Sequence, residues 1–252
     1  MFYFFFFVLG SMIGSFLNVI IYRIPRNIDF IFKSSHCVEC KEKIPFYYNI
    51  PIIGYLLLRG RCSKCNKPFS IKYPFVELLT GLAFVFISLR FPLFSMPLEF
   101  IIFSSIFCVL LCIFFIDLEF YIIPNSLNLY LLAVFVLKSI LFEPLEFWLL
   151  GGFIGFFFPF LITWLYSVIR GQVGLGMGDV KLYGVLGIFL GPLGITQNIF
   201  LSCFLGALIG GGLIAIKKLD KNTPIPFGPF IVLVAVFQIY FPQLFKKYLV
   251  LF

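Results

Sequence analysis

The stretch FIIFSSIFCVLLCIFFID, residues 100–117, decides how the rest of the chain is read. Seventeen residues pass without a charge before Asp117 closes the run. A helix needs about 17–25 predominantly apolar residues to cross a bilayer. Comparable runs stand at 2–22, 74–94, 97–116, 125–142, 147–169, 180–194, 196–216 and 227–245. They are continuous rather than alternating, which favours helices over a β-barrel. The composition agrees: 62% of the 252 residues are hydrophobic and 12% charged, against about 25% charged in a soluble domain. The fold class that follows is all-α, a polytopic membrane protein with about eight transmembrane helices. The sixth and seventh runs are parted only by Gly191-Pro192-Leu193-Gly194, the weakest of the boundaries.

The first run has no basic stretch ahead of it and no small-residue cleavage site behind it, so it is expected to be a retained helix. Gly10, Gly14 and Ser15 give it a face that a second helix can approach closely. Asn18 within it is expected to bond a neighbouring helix.

Residues 23–73 break the pattern. They hold ten of the nineteen basic residues, four of the seven cysteines and the single histidine, His36. Cys37-Val38-Glu39-Cys40 and Cys62-Ser63-Lys64-Cys65 form two C-x-x-C pairs separated by 21 residues. Two such turns supply four thiolates to a tetrahedral Zn²⁺, a closed shell and therefore a structural site. Paired disulfides or redox thiols would use the same residues, but a cytoplasmic position disfavours disulfides. His36 is expected to be exposed rather than a ligand. Cys108, Cys112 and Cys203 read as small apolar core residues.

Orientation follows from the basic loops. With 23–73 in the cytoplasm and eight crossings, the loops at 117–124, 170–179 and 217–226 fall on the same side. Arg170, Lys181, Lys217, Lys218 and Lys221 bring the cytoplasmic count to fifteen, against Arg90, Lys138, Lys246 and Lys247 outside. The expected parts are a first transmembrane helix (1–22), a small cytoplasmic Cys₄ zinc domain (23–73) and a seven-helix membrane domain (74–252). The net charge of +8 is accounted for by these loops, and no nucleic-acid partner is expected.

Asp117 and Asp179 then lie at one membrane face. Carboxylates against membrane segments are costly and commonly functional. Asp179 ends Gly176-Met177-Gly178-Asp179, just where an apolar run begins. The glycines admit backbone conformations closed to other residues and a close approach of substrate, and a helix start favours the anion. Pro124 suits the first turn of the helix after Asp117, which places Asp117 in a hairpin. Glu119, two residues on, points elsewhere. Two carboxyls brought together share one proton, the arrangement of aspartic protease chemistry. A proton-coupled transporter with a structural zinc domain would use the same acids, and a zinc-dependent membrane scaffold would need neither.

Several stretches together resemble the bacterial type IV prepilin peptidases, intramembrane aspartic proteases of the GxGD kind. These are Gly14-Ser15-Phe16-Leu17-Asn18 through Tyr22-Arg23-Ile24-Pro25, the two C-x-x-C pairs, Asn49-Ile50-Pro51 and Tyr73-Pro74-Phe75-Val76-Glu77. Asp117 through Pro124-Asn125, Gly176-Met177-Gly178-Asp179-Val180-Lys181-Leu182 and Pro226-Phe227-Gly228-Pro229-Phe230 complete the set. The resemblance implies Asp117 and Asp179 as catalytic residues, with Gly176, Gly178, Lys181 and Pro124 in support. It implies prepilin and pseudopilin substrates, as used in type IV pili, secretion and competence, cut after a Gly at the cytoplasmic face of the bacterial inner membrane. It also implies N-methylation of the new N-terminus with S-adenosylmethionine, an activity tied to the 23–73 loop, for which Glu77 is the candidate residue.

Overall fold

The computed structural model describes residues 2–29, 36–37, 39–172, 174–216 and 224–248, without the side chains of 46, 47 and 246–248. Lys33, Lys217, Lys218 and Lys221, which enter the orientation argument, lie outside the described residues. The helices are α1 (Phe2–Arg23), α2 (Ile53–Leu57), α3 (Lys72–Arg90), α4 (Pro97–Phe120), α5 (Asn125–Phe142), α6 (Leu145–Arg170), α7 (Met177–Ala215), α8 (Gly228–Tyr240) and α9 (Pro242–Tyr248). Short 3₁₀ turns cover Ile24–Arg26 and Phe46–Asn49. Six of the described helices are long and apolar enough to cross a membrane: α1, α3, α4, α5, α6 and α7. The chain divides into two compact units, 1–108 and 109–252, with the border inside α4.

In the first unit α1 packs on α3 through small residues. A Cβ built on Gly10 would stand 2.9 Å from Gly81 Cα, and one on Gly14 would stand 2.8 Å from Glu77 Cα. The small face expected of the first helix therefore exists, and α3 is what it meets. Asn18 bonds as expected, its Nδ2 donating to Tyr73 O at 3.0 Å. Between these helices the chain makes two matched turns. His36 bridges Lys43 and Arg61 bridges Pro68. Cys37 N–H donates to Glu42 O, and Cys62 N–H to Lys67 O, both at 2.9 Å. Lys41 (φ 58°) and Asn66 (φ 56°) take the same left-handed position in each turn.

In the second unit α7 is not one rod. A straight helix of its 39 residues would be about 58 Å long. Tyr183 and Ser202 are 19 positions apart, yet their hydroxyls share a hydrogen bond of 2.6 Å; along a straight helix they would be about 28 Å apart. The chain folds back at Gly191, whose φ of 71° and ψ of −179° lie in a region open essentially to glycine alone. The arms are 177–190 and 192–215. Each of the eight expected apolar runs thus falls in a helix, but two are shorter than a bilayer asks. The first arm spans about 21 Å, and the last run stops at Tyr240 because Pro242 disfavours a helical Phe241. Gly151 and Gly155 of α6 let that helix lie against the hairpin: a Cβ on Gly151 would stand 2.8 Å from Gly191 Cα, and one on Gly155 would stand 3.0 Å from Ile195 Cγ1. The second arm is joined to α8 by Asn198 Nδ2 donating to Gln238 Oε1 and Gln238 Nε2 donating to Gly194 O, both at 2.8 Å.

Candidate active site

Asp117 lies in the last turn of α4, not in the hairpin beyond it. The helix runs on to Phe120 and stops where Tyr121 takes φ 58°, a left-handed ending. The side chain is buried, with 4% of its surface exposed. Its Oδ2 accepts the Gly228 N–H at 2.9 Å. Gly228 is the first residue of α8, where backbone N–H groups have no partner within the helix and the dipole favours an anion. A side chain at that position would intrude: a built Cβ stands 2.8 Å from Asp117 Oδ2.

Asp179 sits in the first turn of α7, as expected, and is within Coulombic range of Asp117. Its N–H donates to Gly176 O at 3.1 Å. Its Oδ1 is buried and has no hydrogen-bond partner among the described residues. Both acids thus stand at helix N-termini, Asp117 at that of α8 and Asp179 at that of the first arm. The hairpin in α7 is what makes this possible, because it returns the chain so that α8 starts where α7 started.

The two glycines matter for space rather than for unusual torsions. Gly176 has φ −63° and ψ 142°, open to any residue, and Gly178 is helical. A Cβ on Gly176 would stand 3.0 Å from Asp179 Oδ2, and one on Gly178 would stand 3.1 Å from Ile123 Cβ. Gly178 therefore lets the start of α7 lie against the segment after Asp117. Lys181 Nζ donates to Asn125 Oδ1 at 3.1 Å, tying the same start to α5. Pro124 precedes α5 rather than opening its first turn, with φ −62° and ψ 130°. Glu119 is exposed on α4.

The four cysteines come together in the first unit. Cys37 Sγ is 3.9 Å from Cys65 Sγ, and Cys40 Sγ is 3.9 Å from Cys62 Sγ. All four sulfurs lie within 4.8 Å of one another. Ligands at about 2.3 Å in a tetrahedron would be about 3.8 Å apart, so the set can hold a metal ion. The backbone N–H groups of Cys65 and Lys64 lower the Cys62 thiol to about 6, while burial and the three neighbouring thiols push the Cys40 thiol up to about 12, so the four sulfurs share protons that a bound metal would displace. Cys108 and Cys112 are buried as expected, whereas Cys203 is exposed on α7. Glu77 is placed in the first unit, buried on α3, where it accepts the Ile52 N–H at 2.7 Å.

Gly228 is the site residue that chemistry-bearing side chains could not announce. It contributes only a backbone N–H, and its sequence signal is the Pro226-Phe227-Gly228-Pro229 run.

The fold and site define a multi-pass helical membrane protein with two acids gathered at helix starts and a separate four-cysteine cluster. A model of the bacterial peptidase A24 N-terminal domain matches residues 8–91, and a model of the type IV leader peptidase family matches residues 104–211. Relatives named prepilin leader peptidase/N-methyltransferase include one from Xanthomonas campestris pv. campestris, 33% identical over 88% of this chain and 85% of its own. Another from Stutzerimonas stutzeri is 33% identical over 89% and 85%, and one from Neisseria gonorrhoeae 31% identical over 88% and 84%. The chain belongs to the type IV leader peptidase family. No solved structure matches it.

Proposed function

We propose that this protein removes the leader peptide from prepilins and pseudopilins, with Asp117 and Asp179 as the catalytic pair, and then methylates the new N-terminal amine. The observation that carries the first part is the meeting of two carboxyl groups at two helix starts, one of them held by the Gly228 N–H. One carboxylate takes a proton from a water molecule as its oxygen adds to the scissile carbonyl carbon. The other, protonated, gives its proton to the carbonyl oxygen. The C–N bond then breaks, and the leaving amine takes up a proton. Gly176, Gly178, Lys181 and Pro124 support this pair by fixing the start of α7 against the start of α5.

The four cysteines hold a structural Zn²⁺ on this reading, since four sulfurs leave no open position for substrate. S-adenosylmethionine would supply a methyl group that the amine nitrogen takes while losing a proton. The protein lies in the bacterial cytoplasmic membrane with residues 23–73 in the cytoplasm, the side on which a basic leader stays.

The test is incubation of purified protein with a prepilin, leader removal being followed by mass. Asp117→Asn and Asp179→Asn are each expected to slow cleavage by roughly 10²–10⁴-fold, and the double variant by little more, as groups acting together do. A single variant that is folded and cuts at the wild-type rate would remove the pair from the mechanism.

A further inference from the structure

The second unit holds a buried polar cluster that the peptidase chemistry does not use. Tyr183 stands on the first arm of α7, Asn198 and Ser202 on the second arm, and Gln238 on α8. None of the four exposes more than 6% of its surface. Polar side chains so placed are costly unless bonded, and these bond to one another across three helical rods. Ser202 Oγ has a single hydrogen, which it gives to Asn198 O at 2.6 Å and shares with Ile199 O at 3.1 Å. Its contact with the Tyr183 hydroxyl at 2.6 Å is therefore the tyrosine donating. Asn198 Nδ2 directs both of its hydrogens at α8, one to Gln238 Oε1 at 2.8 Å and one to Ile231 O at 3.4 Å. Gln238 Nε2 donates in turn to Gly194 O at 2.8 Å, beside the hairpin turn.

The points that these bonds hold are the ones nearest the acids. Tyr183 follows Asp179 by four residues, one turn on along the same side of the first arm. Ile231 follows Gly228 by three residues, one turn on along the same side of α8, and the Gly228 N–H is what holds Asp117. Each helix start that carries or holds an acid is thus tied, one turn inward, to Asn198 and Ser202. Those two residues are themselves four apart and share one face of the second arm. Asp179 Oδ1 has no hydrogen-bond partner among the described residues, so the arm that carries it sets its position. Asn198 Oδ1 also has none among them. An amide that buries an unpaired oxygen is a poor route to stability, and its value lies in what its Nδ2 places.

We propose that Tyr183, Asn198, Ser202 and Gln238 are positioning residues, which fix the first arm of α7 against the start of α8 and so set the spacing of Asp117 and Asp179. The role rests on the catalytic pair proposed above, since two acids that share a proton must keep one distance.

The test uses the full chain in detergent. Asn198→Leu with Gln238→Met removes both partners of the amide pair at nearly constant shape. Tyr183→Phe with Ser202→Ala removes only hydroxyl groups. Deleting both partners of a buried hydrogen bond is close to neutral for stability, so the melting temperature of each double variant is expected to hold. Leader removal is expected to lose about tenfold or more in kcat, because a misplacement of about 1 Å can cost about 10²-fold, with KM unchanged. Spacing is read separately and without activity. With Asp117→Cys and Asp179→Cys in place, bis-thiosulfonate reagents of graded length are expected to bridge 117 to 179 within a narrow band of lengths. Adding either pair of cluster changes is expected to widen that band, the bridged peptides being identified by mass. Where Asp117→Asn abolishes cleavage, an unchanged kcat, an unchanged band or a loss confined to KM would overturn the positioning role. A fall in melting temperature in both double variants, with the band unchanged, would reduce the cluster to a stability role and overturn it as well. Should Asp117→Asn cut at the wild-type rate, the catalytic pair falls, and the band of lengths alone decides whether the cluster sets the distance.

Discussion

Asp117 is held by a residue that has no side chain, and this gives the site a test that leaves both acids in place. Gly228→Ala puts a methyl group 2.8 Å from Asp117 Oδ2 and 3.1 Å from its Cγ. Either the carboxylate moves or the start of α8 does, and the Gly228 N–H bond is lost. Displacing a reacting group by about 1 Å can cost about 10²-fold. A loss of that order in leader removal, at unchanged expression, is the expected result. Gly211→Ala is the control, because a Cβ there meets nothing within 4 Å. Equal activity of the two variants would show that the contact does not position Asp117. At this scale the acids were legible in the sequence, because a carboxylate closing an apolar run is conspicuous. The role of Gly228 was not, because a backbone N–H has no residue type. The glycines before Asp179 were singled out for unusual torsions and for close approach; their torsions are ordinary, and a Cβ on either would crowd Asp179 or Ile123.

Among the elements, the α7 hairpin is the one on which the site depends. It brings Tyr183 to Ser202 and returns the chain to α8. Its turn was visible as Gly191-Pro192, yet apolar runs alone leave open whether a 39-residue helix bends, shifts or doubles back. Gly151 and Gly155, which seat α6 on it, carry the four-residue spacing that marks close helix contacts, and Gly187 faces Gly151 from the first arm. Gly191→Ala combines a forbidden torsion with a Cβ directed into the Phe147 ring. Backbone strain alone is worth about 1–3 kcal/mol. A clear fall in melting temperature in detergent is expected, and an unchanged one would mean that the turn adapts. The cysteine turns allow a second measurement. Cys62→Ser removes one of four ligands from a site whose free energy of metal binding amounts to about 10–16 kcal/mol in small peptides. Zinc content should fall and a protease should cut within 36–68, with the helical content of α5 to α8 retained. Full zinc in that variant would mean the four sulfurs are not the metal site. These turns were legible from spacing alone, since C-x-x-C fixes a local geometry that needs no tertiary information.

For the molecule as a whole, the border between the compact units falls at 108/109, inside an unbroken helix. No change of composition marks it, and so sequence reading drew its divisions at the ends of the polar loop instead. Compactness depends on which helices touch, and apolar runs do not encode their partners. Sidedness is different, because it is set by charge in the loops. Fifteen of the nineteen basic residues fall on one side when 23–73 is cytoplasmic, and the positive-inside rule is strongest for short loops. The chain then leaves the cytoplasm along α3, so residues 91–96, ahead of α4, lie outside. Lys43 and Ser95 are both exposed, which makes them a matched pair for labelling. In intact cells an impermeant thiol reagent should modify Ser95→Cys and spare Lys43→Cys, and after lysis it should modify both. Modification of Lys43→Cys in sealed cells would put the cysteine turns outside. It would also break the leader-peptide reading at its most physical point, because a basic leader held in the cytoplasm by its charge would leave the N-terminus that cleavage exposes on the wrong side of the membrane from the loop assigned to methylate it.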